Sequence, residues 1–160
     1  MPKYKSSKKT PSYIKQSELT GEASVHDEKY ANKCKFSFQY FDDSQEHASS
    51  FLDWQKMGTL VEALETLRGF CKSTLSEQLK TKKFKTYGSF PDKDKTKFFH
   101  PKHVPQDACW GRLHVNGDKI MAGHIVNDTF YIVFFDSNHN FYLTKKHVAI
   151  KKVRDMAVHV

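Results

Sequence analysis

The run CWGRLHV-NG-DKIMAGHIV carries Arg112, His114 and Lys119 on either side of Asn116-Gly117. Asn-Gly is a strong hairpin signal, because both central residues of a type I' turn need positive φ. A two-residue turn there sets His114 opposite Lys119 and Arg112 opposite Met121, which gathers Arg112, His114 and Lys119 on one face. Such a face is suited to holding a phosphate, with the arginine gripping it in bidentate fashion. Further along, D-S-N-H-N-F-Y puts His139 and Tyr142 in and just after a polar turn. Upstream, KKFKTYGSF interleaves Lys82, Lys83 and Lys85 with Phe84 and Tyr87, a pattern that suits stacking on single-stranded nucleic acid and suits an ordinary strand equally well. Lys145 and Lys146 add two more cations where the basic tail begins.

Other chemistries find less support. His100-Pro-Lys-His103 has an i, i+3 spacing and Cys109 follows it. Pro101 opposes a regular helix there, however, and no acidic or thiol partner stands at a zinc-family spacing, so no metal site is expected. Cys34, Cys71 and Cys109 form no C-x-x-C pair, which argues for reduced thiols over a disulfide framework. There is no glycine-rich phosphate loop, since Gly111, Gly117 and Gly123 fall in hairpins and turns.

The elements that must position these residues emerge from patterning. KFSFQYF (35–41) alternates Phe36, Phe38 and Tyr40 with polar residues, as a half-buried strand does. Trp54, Met57, Leu60, Val61, Leu64, Leu67 and Cys71 recur at three and four residues, predicting an amphipathic helix over about 51–70 that Gly69 weakens or ends. Thr74 and Glu77 form a capping box for a short second helix with Leu75 and Leu79. After a basic loop over 82–108, with at most one short strand, three β-rich runs near 109–116, 118–127 and 129–136 are joined at Asn116-Gly117 and Asn127-Asp128. The turn geometry sends Leu113, Ile120, Ala122, Val133 and Phe135 towards the helices and leaves Trp110, Ile132 and Phe134 beside Arg112. The tail beyond is compatible with a strand or a helix. The fold class is α+β: a small antiparallel sheet, made of the C-terminal meander plus an N-terminal strand, packed on two N-terminal helices.

Length and charge bound the rest. A chain of 160 residues suits one compact domain. It divides into a flexible basic arm (1–32), the α+β domain (33–145) and a basic tail (146–160). Lys plus Arg number 26 against 18 Asp plus Glu, a net +8 that favours an anionic partner. The excess is uneven: residues 42–65 hold six acids against Lys56, whereas residues 80–103 hold eight lysines against Asp92 and Asp94. One acidic and one basic face follow. No apolar run approaches the roughly 18 residues of a membrane span and no signal segment follows the basic start, so a cytoplasmic protein with no membrane partner is expected.

With strand, helices, loop and meander in that order, the sequence resembles the RelE and ParE superfamily of small toxins. WGRLHVNGDKIMAGHIV is similar to that family's arginine-bearing hairpin with a Gly-Asp turn, and IVFFDSNHNFY to its last strand and His-x-x-Tyr ending. Topology matches over about 34–142 and motifs over about 33 of those residues. The arm, the inserted loop, the tail and the lack of a second hairpin arginine depart from the pattern. The resemblance implies a metal-independent endoribonuclease acting on messenger RNA in a toxin-antitoxin or phage-defence setting. His139, Tyr142, Arg112 and Lys119 would be its catalytic residues, with His114, Lys82, Lys83, Lys85, Lys145 and Lys146 binding RNA. It implies no cofactor; the partners would be RNA, with the ribosome as one setting for it, and an acidic antitoxin. The alternative is a non-enzymatic RNA-binding module or a ParE-like protein inhibitor.

Overall fold

The computed structural model describes residues 32–158, so the expected arm lies outside the described residues up to residue 31, as do residues 159–160 of the tail. Five strands form one mixed sheet in the order β1-β5-β4-β3-β2. They are β1 (Lys35–Ser37), β2 (Phe84–Gly88), β3 (Cys109–Asn116), β4 (Lys119–Val126) and β5 (Thr129–Asp136). The class is α+β as expected, but the sheet is larger than the small antiparallel one anticipated. The start of the basic loop supplies edge strand β2, and β1 lies parallel to β5 at the other edge.

β1 stops four residues short of the expected strand because the chain then wraps over the sheet edge. Phe38 and Phe41 fold towards Phe51 and Phe135, while Tyr40 crosses to the other face against His124 and Tyr131. The long helix is two helices, α1 (Phe51–Lys56) and α2 (Thr59–Phe70), broken at Gly58 where φ is +74°. That break turns Thr59, Ala63, Leu67 and Phe70 to the sheet and leaves Met57, Val61 and Leu64 of the expected stripe exposed. α3 (Leu75–Gln78) carries the expected capping box: Thr74 Oγ1 accepts from Glu77 N at 3.2 Å and Glu77 Oε2 accepts from Thr74 N at 2.8 Å. The tail forms α4 (Lys145–Val158). No described helix is long and apolar enough to cross a membrane.

The meander forms where expected, but its register slips twice. The first connection turns at Gly117-Asp118, with Asn116 paired to Lys119 and Val115 bulged out, so His114 faces Ile120 and Arg112 faces Ala122. The second turns at Asn127-Asp128 as expected, then shifts by one residue at Val133. Because side chains alternate across a strand, each slip exchanges faces. Leu113, Met121, Phe130, Ile132 and Phe135 bed the helices, with Trp54 stacked on Phe135 at 4.0 Å. Ile120, Ala122 and Val133 instead join Trp110 and Phe134 on the Arg112 face, where those two were expected, and Ile132 leaves it for the helix side, correcting the expected division. The basic loop is not a loose appendage: its Phe98 and Val104, with Phe141 from the turn after β5, cover that second face, and the loop is tied to that turn by Lys97 N to Asn140 O (3.0 Å) and Leu143 N to Lys95 O (2.7 Å).

Gly123, beside the second slip, is where backbone meets backbone: a Cβ there would stand 1.9 Å from the Tyr131 carbonyl oxygen. Gly123→Ala is therefore expected to cost at least the roughly 1–3 kcal/mol typical of overpacking. Gly69→Ala, on a helix with open space around the site, should stabilise by up to about 1 kcal/mol. Urea unfolding of both variants checks the contrast; equal effects would contradict the register.

Candidate functional site

Burial of the residues between them decides where the cationic side chains point. Leu113 is fully buried against the helices, so its neighbours Arg112 and His114 go to the opposite face. Phe84, paired to Leu113, does the same for β2: Lys85 lies beside Arg112 and the Lys83 carbonyl accepts from His114 N at 2.7 Å. Lys82 precedes the strand.

The third wall is the turn after β5, and Asp136 builds it. This carboxylate is fully buried and accepts backbone N–H bonds from Asn138 (3.2 Å) and Phe141 (2.8 Å). Burial pushes its pKa up to about 6, with Asp118 adding to the push, while the backbone donors pull the other way. Within this turn His139 is buried in the left-handed region at φ +55°, and its Nδ1 donates to the Tyr142 carbonyl at 3.1 Å.

Lys82, Lys83, Arg112, His114 and His139 line one cavity of about 330 Å³, together with Gly117. That is within the range of small-ligand pockets, roughly 300–1,000 Å³. His114 Nε2 donates to the Gly117 carbonyl at 2.8 Å. Each imidazole therefore has one ring N–H committed to a backbone carbonyl, which orients the ring. The Arg112 guanidinium stands near the Tyr87 phenol, where burial raises the phenol's pKa and the positive charge opposes the rise. The Arg112 Nη1 is buried without a hydrogen-bond partner. A buried, unsatisfied guanidinium nitrogen is costly, and an anion bound in the cavity is the natural acceptor for it.

Other expected residues are elsewhere. Lys119 does not line the cavity: alternating with Ile120 of the second cluster, it falls on the helix side of the sheet. The expected common face of Arg112, His114 and Lys119 is thus corrected to Arg112 and His114, joined by lysines from β2 and its approach. Tyr142 stacks on Tyr87 at 4.4 Å and lines a separate cavity. Lys145 is exposed at the start of α4, and the side chain of Lys146 lies outside the described residues. His100 Nδ1 and His103 Nε2 bond to the carbonyls of Pro101 and Tyr40, Cys109 is exposed, and no group of three or more potential metal ligands occurs among the described residues.

Comparison with protein-family models, with curated protein sequences and with solved structures finds no match. The site therefore rests on its own geometry. One of its supporting residues, Asp136, escapes sequence reasoning, although it had a signal: an acid at a strand end followed by Ser-Asn, the composition of a side-chain-capped turn. Tyr87 was legible as a stacking aromatic, but its place near Arg112 was not, because that depends on the irregular pairing between Thr86 and Gly88.

Asp136 provides a pH test. A carboxyl whose folded pKa is about 6, against an ordinary value near 3.9, stabilises the fold fully below about pH 4. That contribution is lost as pH rises to about 6. Carboxyl NMR should show the raised midpoint, and the unfolding free energy of Asp136→Asn should lack this decline; an Asp136 midpoint near 4 would contradict the geometry.

Proposed function

We propose that the domain binds single-stranded RNA in the cationic cavity and cleaves it there as a metal-independent endoribonuclease. The observation that carries this is the convergence of Arg112, Lys82 and Lys83 with two imidazoles oriented by backbone carbonyls, His114 and His139, around one cavity. Arg112 and the lysines hold the scissile phosphodiester, and the buried Arg112 Nη1 meets the charge that develops on its oxygens. One neutral imidazole takes the proton of the 2'-OH as its oxygen attacks phosphorus. The bond from phosphorus to the 5'-oxygen breaks, and the second imidazole, in its protonated form, gives that oxygen a proton. The products are a 2',3'-cyclic phosphate and a 5'-hydroxyl. Tyr142 has no proton-transfer role in this scheme, and Lys119 none in holding the phosphate. In the toxin setting, an acidic antitoxin would neutralise the protein by covering the cavity.

The separation of Tyr142 from the cavity favours a second reading, an RNA-binding module without catalysis. A labelled single-stranded RNA, incubated with the protein in chelator and followed for binding and cleavage, decides between the two. Arg112→Ala should weaken binding about tenfold and reduce the salt slope by about one. His139→Asn, chosen because asparagine tolerates a left-handed φ, should cut cleavage by about 10²–10⁴ while leaving affinity within about twofold. An RNA with 2'-deoxy substitution at the cleaved position should bind and stay intact. Binding without cleavage by the parent protein would leave the module; absence of salt-dependent binding would overturn both.

A further inference from the structure

Beside the phosphate cavity stands a second, aromatic one. Tyr87 falls at the pairing irregularity between Thr86 and Gly88, where Gly88 has φ +78°, and packs with the cluster on the Arg112 face. The ring of Tyr142 lies on it nearly parallel, 4.4 Å between centroids and 4° between planes. Lys85 Nζ stands over the Tyr87 ring at 5.7 Å. Tyr142 is half-buried, and no further ring stacks on it among the described residues. A cavity of about 150 Å³ opens beside this pair, bounded also by Ser89, Phe90, Asp92 and Lys95.

We propose that this cavity is a nucleobase subsite, taking an unpaired base of the strand whose phosphate is held at Arg112. The proposal rests on the RNA reading above and specifies the part of the substrate next to the phosphate. His139 links the two places physically, since it lines the phosphate cavity and its Nδ1 donates to the Tyr142 carbonyl at 3.1 Å, and the Arg112 guanidinium stands near the Tyr87 phenol. Successive aromatic rings beside a basic strand are the usual platform for single-stranded nucleic acid, where stacking supplies affinity that salt does not screen. The polar groups on the rim give the subsite a preference. Asp92 is an exposed carboxylate and accepts only, so it suits the exocyclic amino group of adenine, cytosine or guanine; Lys95, 3.7 Å from it, donates to a ring nitrogen or carbonyl. Uracil, with no amino group, offers Asp92 only its ring N3–H, flanked by two carbonyl oxygens that the carboxylate repels.

The test uses the full-length protein with short single-stranded oligo(A), oligo(C) and oligo(U) RNA, titrated at several salt concentrations. Oligo(A) and oligo(C) should bind several-fold more tightly than oligo(U). Tyr142→Ala should weaken all three about tenfold with the salt slope unchanged, and Tyr142→Phe should retain affinity, since the ring and not the hydroxyl stacks. Asp92→Asn should erase the preference for amino-bearing bases without reducing oligo(U) affinity. As a surface change, it also keeps the test valid if Tyr142→Ala fails to fold. Should RNA bind with an Arg112-dependent salt slope while Tyr142→Ala stays within twofold, or while no base preference appears, the subsite is wrong and the phosphate site stands. If the parent protein binds none of the oligomers at any salt, both fall.

Discussion

Strand β4 runs between two neighbours that each bulge by one residue against it, Val115 on one side and Val133 on the other. The close approach of Gly123 to the Tyr131 carbonyl holds the second of these, because no side chain fits between the two backbones. From that constraint follows which atoms meet across the sheet. Arg112 lies beside Ala122 and Phe134, His114 beside Ile120, and Asp136 reaches the end of β5 beside Ile120. With β4 displaced by one residue, Ile120 and Ala122 would turn to the helices, and the Arg112 face would lose its apolar floor.

Both sheet faces are covered, and the second cover has a polar cost. The loop over 89–108 and the turn after β5 bury Asp136 and His139 along with Phe98, Phe134 and Phe141. A buried carboxylate is unfavourable unless its lone pairs are used, and here backbone N–H groups of the turn use them. The same stroke gives the turn its shape and fixes His139 at a positive φ. Under this cover Arg112 Nη1, Trp110 Nε1, His124 Nδ1 and His100 Nε2 are buried without hydrogen-bond partners. Each is a cost of the order of 1–3 kcal/mol to stability. At Arg112 that cost is consistent with a site prepared for an anion, since a ligand that completes the hydrogen bond recovers it.

Charge is arranged on the same plan. Asp53, Glu62 and Glu65 are exposed on α1 and α2, which cover one face of the sheet, while Lys82, Lys83 and Lys85 are exposed along the β2 edge by the cavity. The field of such a molecule orients an approaching polyanion towards the lysines, an effect that salt weakens over about a Debye length. Near the cavity the lysines are exposed surface charges, whereas the Arg112 guanidinium is buried at Nη1 near the Tyr87 phenol. Attraction and positioning are thus carried by different residues.

The sequence by itself determined the features whose causes are local. The Thr74-Glu77 capping box, the turn at Asn127-Asp128, β3 and β5 to the residue, and the basic character of the β2 region could all be read from it, because capping hydrogen bonds and turn dihedrals involve residues a few positions apart. It also supplied Arg112, His114 and His139 as candidates by residue type. Only the tertiary structure decided that these three share a cavity, that Lys119 leaves them, and that Tyr142 pairs with Tyr87 instead. The reason is the period of two in a strand: composition does not record a one-residue bulge, yet that bulge sends the side chains beyond it to the opposite face. Whether the strand bulges is settled by the packing of Gly123 against Tyr131 and of the aromatic cover against Trp110, contacts between segments far apart in the chain.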